Sequence, residues 1–79
     1  MLAHIKDNTP YCGDIDCNSK LGNLIQYDLV LYEGKKCYMF IRRCPKCGKE
    51  NIYVVKGLNL QSRGELLTNI DKNKIKIIK

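Results

Sequence analysis

Four of the five cysteines fall into two pairs: Cys12-Gly-Asp-Ile-Asp-Cys17, a C-x4-C, and Cys44-Pro-Lys-Cys47, a C-x2-C, with 26 residues between them. Such pairs serve metal binding, thiol redox chemistry or only a turn. A structural Zn2+ takes four ligands at tetrahedral corners, with thiolate sulfurs about 2.3 Å away, and two short turns presenting two sulfurs each meet that demand. After Cys47, Gly48 lets the chain reverse so that backbone N–H groups face the sulfurs, and Pro45 fixes φ on the way in. In the first pair, Gly13 with the short polar Asp14 and Asp16 favours a tight turn, although a four-residue gap is wider than usual. A redox dithiol sits at the start of a helix whose N-terminus lowers the thiol pKa. Here G-K-E-N and a β-rich stretch follow, so no helix is expected to activate the sulfur. Cys12, Cys17, Cys44 and Cys47 are therefore read as the ligands of one structural Zn2+.

Two other residues could enter that site. Cys37 lies inside an expected strand, where a small apolar side chain packs well, but it could also replace Cys12 or Cys17. His4 is either a fourth ligand or a solvated histidine near the N-terminus. Other catalytic constellations are missing: there is one histidine, and no H-E-x-x-H, P-loop or G-x-S-x-G pattern occurs. Four sulfurs also close the coordination sphere that a catalytic zinc leaves open. A non-enzymatic protein is expected.

A chain of 79 residues is one small unit whose core supplies only about 3–5 kcal/mol of net stability. A structural zinc, at about 10–16 kcal/mol near neutral pH, exceeds that. The elements that must hold the sulfurs read mostly as β-structure. G-N-L-I-Q-Y-D-L-V-L-Y over 22–32 is rich in branched and aromatic residues and reads as a strand, with Glu33-Gly34-Lys35 as the turn. K-C-Y-M-F-I-R over 36–42 returns as the second strand, and N-I-Y-V-V-K over 51–56 is the third. Ser62-Arg63-Gly64-Glu65 fits a capping box, and the spacing of Leu66, Leu67 and Ile70 predicts a short helix near 63–71. The closing D-K-N-K-I-K-I-I-K alternates lysine with isoleucine and suits an edge strand or a basic tail. The expectation is a domain over 1–57 with the 58–79 helix and tail packed on it or extending from it.

With the two cysteine pairs flanking a hairpin, residues 10–57 resemble a zinc ribbon, in which two cysteine knuckles pin one end of a small antiparallel sheet. The resemblance implies a three-stranded sheet and a four-cysteine zinc site at Cys12, Cys17, Cys44 and Cys47. The chain departs from the commonest pattern at the C-x4-C spacing. Cys17-Asn18-Ser19-Lys20-Leu21 and Ile41-Arg42-Arg43-Cys44-Pro45-Lys46-Cys47 are also similar to stretches of the Com-type zinc-finger translational regulators of phages.

Function then falls to the surface. The formal charge of +6 is divided unevenly: residues 1–33 hold two basic against five acidic side chains, and residues 34–79 hold twelve against three. A surface of that sign attracts phosphate or an acidic protein patch, or serves only solubility. On the second strand, Lys36, Tyr38, Phe40 and Arg42 share one side. Rings for bases and cations for phosphates suit single-stranded RNA or DNA; equally, Tyr38 and Phe40 could be core residues. The expected contact set is Lys36, Tyr38, Arg42, Arg43, Lys46 and Lys49, and the expected partner is nucleic acid or its machinery in transcription or translation. A protein-interaction module docking on a larger complex is the alternative, and a tail that adds a strand to a partner is a third reading. No signal peptide or membrane span is read in the sequence, and with clustered cysteines this predicts a reducing, cytoplasmic setting.

Overall fold

The structure, a computed structural model, describes residues 1–57 and 64–78. Among the described residues, seven strands make two antiparallel sheets. Strands β1 (His4–Lys6) and β2 (Thr9–Tyr11) form a hairpin of their own. Its turn residues Asp7 and Asn8 both have left-handed φ, of 50° and 56°, the geometry of the tightest hairpin turns and one that Asp and Asn tolerate.

The main sheet is built on β3 (Leu24–Tyr32), β4 (Lys35–Arg43) and β5 (Glu50–Lys56). These are the three strands the sequence predicts, and Glu33-Gly34 forms the two-residue turn between the first two. The sheet has five strands rather than three, in the order β6-β5-β4-β3-β7. Strand β6 (Glu65–Leu66) pairs with the end of β5, and β7 (Ile75–Ile77) pairs with Val30–Tyr32 of β3. The alternating K-I-K-I pattern is thus an edge strand.

The helix expected near 63–71 is not formed over residues 64–71. Gly64 has φ +76° and Asn69 φ +54°, and the Leu67 N–H donates to the Val54 carbonyl of β5 at 2.9 Å. The open edge of β5 offers this segment hydrogen bonds that a weak, glycine-containing helix of one or two turns cannot match. Ser62 and Arg63 of the expected capping box lie outside the described residues. The one helical turn among the described residues, Lys72–Lys74, is capped by the Asp71 carboxylate on the Asn73 N–H. No described helix is long and apolar enough to cross a membrane.

Register divides the sheet into two faces. Val30, Tyr32, Cys37, Met39 and Val54 form the buried core on one face, with Ile41, Ile52, Leu67, Ile70 and Ile75 packed against them. Met39 stands opposite Val54 and Ile41 opposite Ile52. The other face carries Tyr27 opposite Phe40, Leu29 opposite Tyr38, and Phe40 opposite Tyr53. The β1–β2 hairpin, Leu21 and Leu66 stand over its Phe40–Tyr53 end, and Tyr27 and Leu29 are exposed. At the far side of β5, Met1–Ala3 runs parallel to the strand, with Ala3 N donating to Ile52 O and Ile52 N to Met1 O, each at 2.9 Å.

Candidate metal centre

The four paired cysteines meet at one end of the main sheet. Cys12 follows β2, Cys17 closes the turn after it, Cys44 follows β4, and Cys47 precedes β5. Their four Sγ atoms all lie within 4.8 Å of one another. Two of the separations cross between the pairs, 3.5 Å for Cys12–Cys47 and 3.4 Å for Cys17–Cys44. A tetrahedron with about 2.3 Å metal–sulfur bonds has an edge of about 3.8 Å. Soft sulfur donors at that spacing fit Zn2+. Cys37 is buried in the core, and its thiol is pushed up by removal from water. His4 is exposed on β1, and the clustered ligand atoms are sulfurs alone.

Local hydrogen bonds explain why each pair can turn. In the second knuckle, Cys44 N donates to Lys49 O and Gly48 N to Cys44 O, both at 2.9 Å. Gly48 sits at φ +76°, where a Cβ is strained. The first knuckle repeats the scheme with two extra residues. Cys12 N donates to Ser19 O at 2.7 Å, again to the residue two beyond the second cysteine, and Asn18 takes the left-handed position that Gly48 holds. The insertion folds into a turn on Asp14, whose carbonyl accepts from Cys17 N and Asn18 N and whose carboxylate accepts from Asp16 N at 2.9 Å. The wider C-x4-C spacing therefore still delivers both sulfurs. It also lifts Ile15 to the tip of the knuckle, 92% exposed.

Two contacts lock the knuckles together, and neither was expected from the sequence. The Lys49 ammonium donates to the Asp14 carboxylate. That bond, with help from the Asp16 N–H, holds the Asp14 carboxyl below its ordinary range and raises the Lys49 ammonium. Asn51, fully buried at the start of β5, accepts from Gly13 N at 2.8 Å and directs its amide N–H groups to Lys49 O at 3.2 Å and Cys12 Sγ at 3.6 Å. An asparagine opening an apolar strand is a poor β-former, and that mismatch was the available signal.

The sulfurs differ sharply in acidity. Cys44 is lowered to about 6, first by the Cys47 backbone N–H and then by that of Lys46. Cys47 is pushed up to about 12: the Lys49 N–H pulls it down most, but desolvation and the sulfurs of Cys12, Cys44 and Cys17 together outweigh that pull. A divalent cation among them removes this conflict, because each thiolate then faces positive charge.

The expected contact residues fall in three places. Lys36, Tyr38 and Arg42 lie on the aromatic face with Phe40. The Arg42 guanidinium is engaged there, donating from Nε to the Tyr53 hydroxyl at 2.8 Å and from Nη1 to Gly22 O at 3.0 Å. Arg43 projects from the opposite face, 3.6 Å from Glu50. Lys46 and Lys49 belong to the metal end. On the aromatic face, Phe40 stacks on Tyr53 with centroids 5.5 Å apart, and Tyr27 and Tyr38 flank it at 6.3 and 6.4 Å. Tyr27 and Tyr53 complete this row, and extending the period-2 pattern to the first and third strands would have found them.

Compared with protein-family models, curated proteins and solved structures, the chain has no significant match in any of the three.

Proposed function

We propose that this chain is a non-enzymatic, zinc-ribbon-type protein whose zinc is structural and whose aromatic sheet face binds single-stranded nucleic acid in transcription or translation control. The observation that carries the reading is the row Tyr27, Phe40 and Tyr38 on β3 and β4, backed by the buried Tyr53 of β5. Tyr27 is 62% exposed, and Lys36 and Arg42 stand on the same face. Bases stack on rings whatever their sequence, and lysines around them meet the phosphates. Four sulfurs fill a tetrahedral site, so the metal's part is to hold the end of the sheet on which the row is mounted.

The test is fluorescence anisotropy with labelled single-stranded RNA and DNA over a salt series. Affinity should fall linearly on a log-log salt plot, by about 0.7 per phosphate contacted. Absence of binding to either polymer would sink the proposal. A second reading, a protein-docking module, is favoured by Ile15. This apolar side chain is held in water at the tip of a metal-fixed turn, the form of an anchor for a partner's apolar socket. A partner retained after nuclease treatment but lost on Ile15→Ser would support it.

A further inference from the structure

The aromatic row does not end in open solvent. Between the main sheet and the β1–β2 hairpin lies a cleft of about 380 Å3, walled by Phe40, Arg42 and Tyr53 on the sheet side and by Thr9, Pro10 and Lys20 on the other. That volume is near the lower end for small-molecule sites, about 300–1,000 Å3. It suits one nucleotide better than an extended ligand.

Both ends of the cleft's outer wall are fastened. At the hairpin tip, Asn8 donates to Gly64 O at 3.0 Å and accepts from Leu66 N at 2.8 Å. At its base, Tyr11 bridges to Lys20, and Cys12 N is bonded to Ser19 O. Lys20 is thus three residues from the ligand Cys17, and Pro10 two from the ligand Cys12. The wall hangs from the first knuckle, so a metal held by Cys12 and Cys17 would fix the cleft along with the knuckle.

The chemistry of the lining is one-sided. Among the described residues, no carboxylate lines it. Lys20 is exposed at its mouth, and Arg42 spends two of its five N–H donors on Tyr53 and Gly22, leaving three for an anion. Beside these cations stands the half-buried ring of Phe40, backed by the buried Tyr53 ring stacked on it. A flat apolar surface next to two cations complements a base joined to a phosphate.

We infer that this cleft receives one nucleotide of a bound single strand, its base against Phe40 and its phosphate between Lys20 and Arg42, while neighbouring bases continue over Tyr38 and Tyr27. The inference rests on the proposed nucleic-acid reading and adds to it a position.

The test uses the zinc-loaded full chain and labelled single-stranded oligonucleotides of about ten nucleotides, within the usual site size. Lys20→Gln removes an exposed charge, and Lys72→Gln on the Lys72–Lys74 turn is the matched control. Phe40→Leu keeps apolar bulk and removes the ring; its zinc content reports whether the fold survives. Expected are a loss of about ten-fold for Phe40→Leu and, for Lys20→Gln, weaker binding with a salt slope reduced by about 0.7. Lys72→Gln should do neither. If Lys20→Gln and Phe40→Leu bind as the parent does while Tyr27→Ala weakens binding, the strand lies only on the open row and the inference falls while the reading stands. Equal effects from Lys20→Gln and Lys72→Gln would also overturn it, since the attraction would then be diffuse. If the parent chain binds no oligonucleotide, both fall.

Discussion

Asn51 and Cys12 are tied across the metal end of the sheet: the Asn51 amide lies 3.6 Å from Cys12 Sγ while its carbonyl holds the Gly13 N–H at 2.8 Å. One buried side chain thus orients a ligand and closes the loop that carries it. Asn51→Leu leaves the Gly13 N–H without its acceptor and Cys12 Sγ without its amide donor. The expected cost is about 1–3 kcal/mol in thermal or denaturant unfolding. Weaker zinc binding by about 10- to 100-fold, read by competition with a chromophoric chelator, should accompany it. Unchanged zinc affinity in a folded Asn51→Leu protein would remove the orienting role.

Gly13 is fixed by space rather than by dihedral angle. A Cβ there would stand 2.0 Å from the Leu2 carbonyl oxygen, so Gly13→Ala must push the N-terminal segment off β5 or distort the first knuckle. We expect a loss of about 1–3 kcal/mol, the usual cost of overpacking, together with faster amide exchange at Ala3 and Ile52. Parent-like stability and exchange would contradict the close approach.

Acid should release the metal in two regimes. Thiolates bind zinc and thiols do not, so affinity falls as pH falls. Cys44, lowered to about 6, remains ionised down to that pH and does not add to the proton competition above it. Cys47, raised to about 12, must give up a proton to bind across the whole neutral range. The fall of log affinity per pH unit should therefore steepen below about pH 6, where Cys44 also takes a proton. Chelator competition over about pH 5 to 8 measures it. A constant slope would show that Cys44 has no special acidity. A strong chelator at neutral pH should remove one zinc per chain and collapse the β-signal in circular dichroism.

Arg42 ties the strand β4 to the loop before β3 and to Tyr53 through two directed hydrogen bonds. Arg42→Lys keeps the charge and loses the fork. Its expected cost is about 1–2 kcal/mol in denaturant unfolding, from one or two bonds of roughly 1 kcal/mol each. A neutral result would mean that the guanidinium serves only a ligand.

The three central strands and the four clustered cysteines were legible in the sequence because both signals are local. Alternation in N-I-Y-V-V-K and the spacing of Cys44 and Cys47 are decided within a few residues. The segments that border the sheet were harder, since their state depends on partners far along the chain. Leu66, Leu67 and Ile70 carry helical spacing, yet Leu67 bonds to Val54, and the open edge of β5 decided the outcome. The K-I-K-I alternation did suggest a strand, but nothing local identified β3 as its neighbour. The Asn51–Gly13 and Asp14–Lys49 bonds were invisible for the same reason: each joins groups more than thirty residues apart.

Sulfurs that meet across the knuckles also impose a schedule on the newborn chain. Synthesis adds about 5–20 residues per second, so the thirty residues from Cys17 to Cys47 take on the order of seconds. During that interval Cys12 and Cys17 have left the peptidyl-transfer centre as a solitary dithiol without the sulfurs that complete their tetrahedron. The β3–β4 hairpin can form in that time, because its pairing is local. The metal end closes only after that hairpin, and until it does the first pair stands as an open dithiol toward oxidants and stray metal ions.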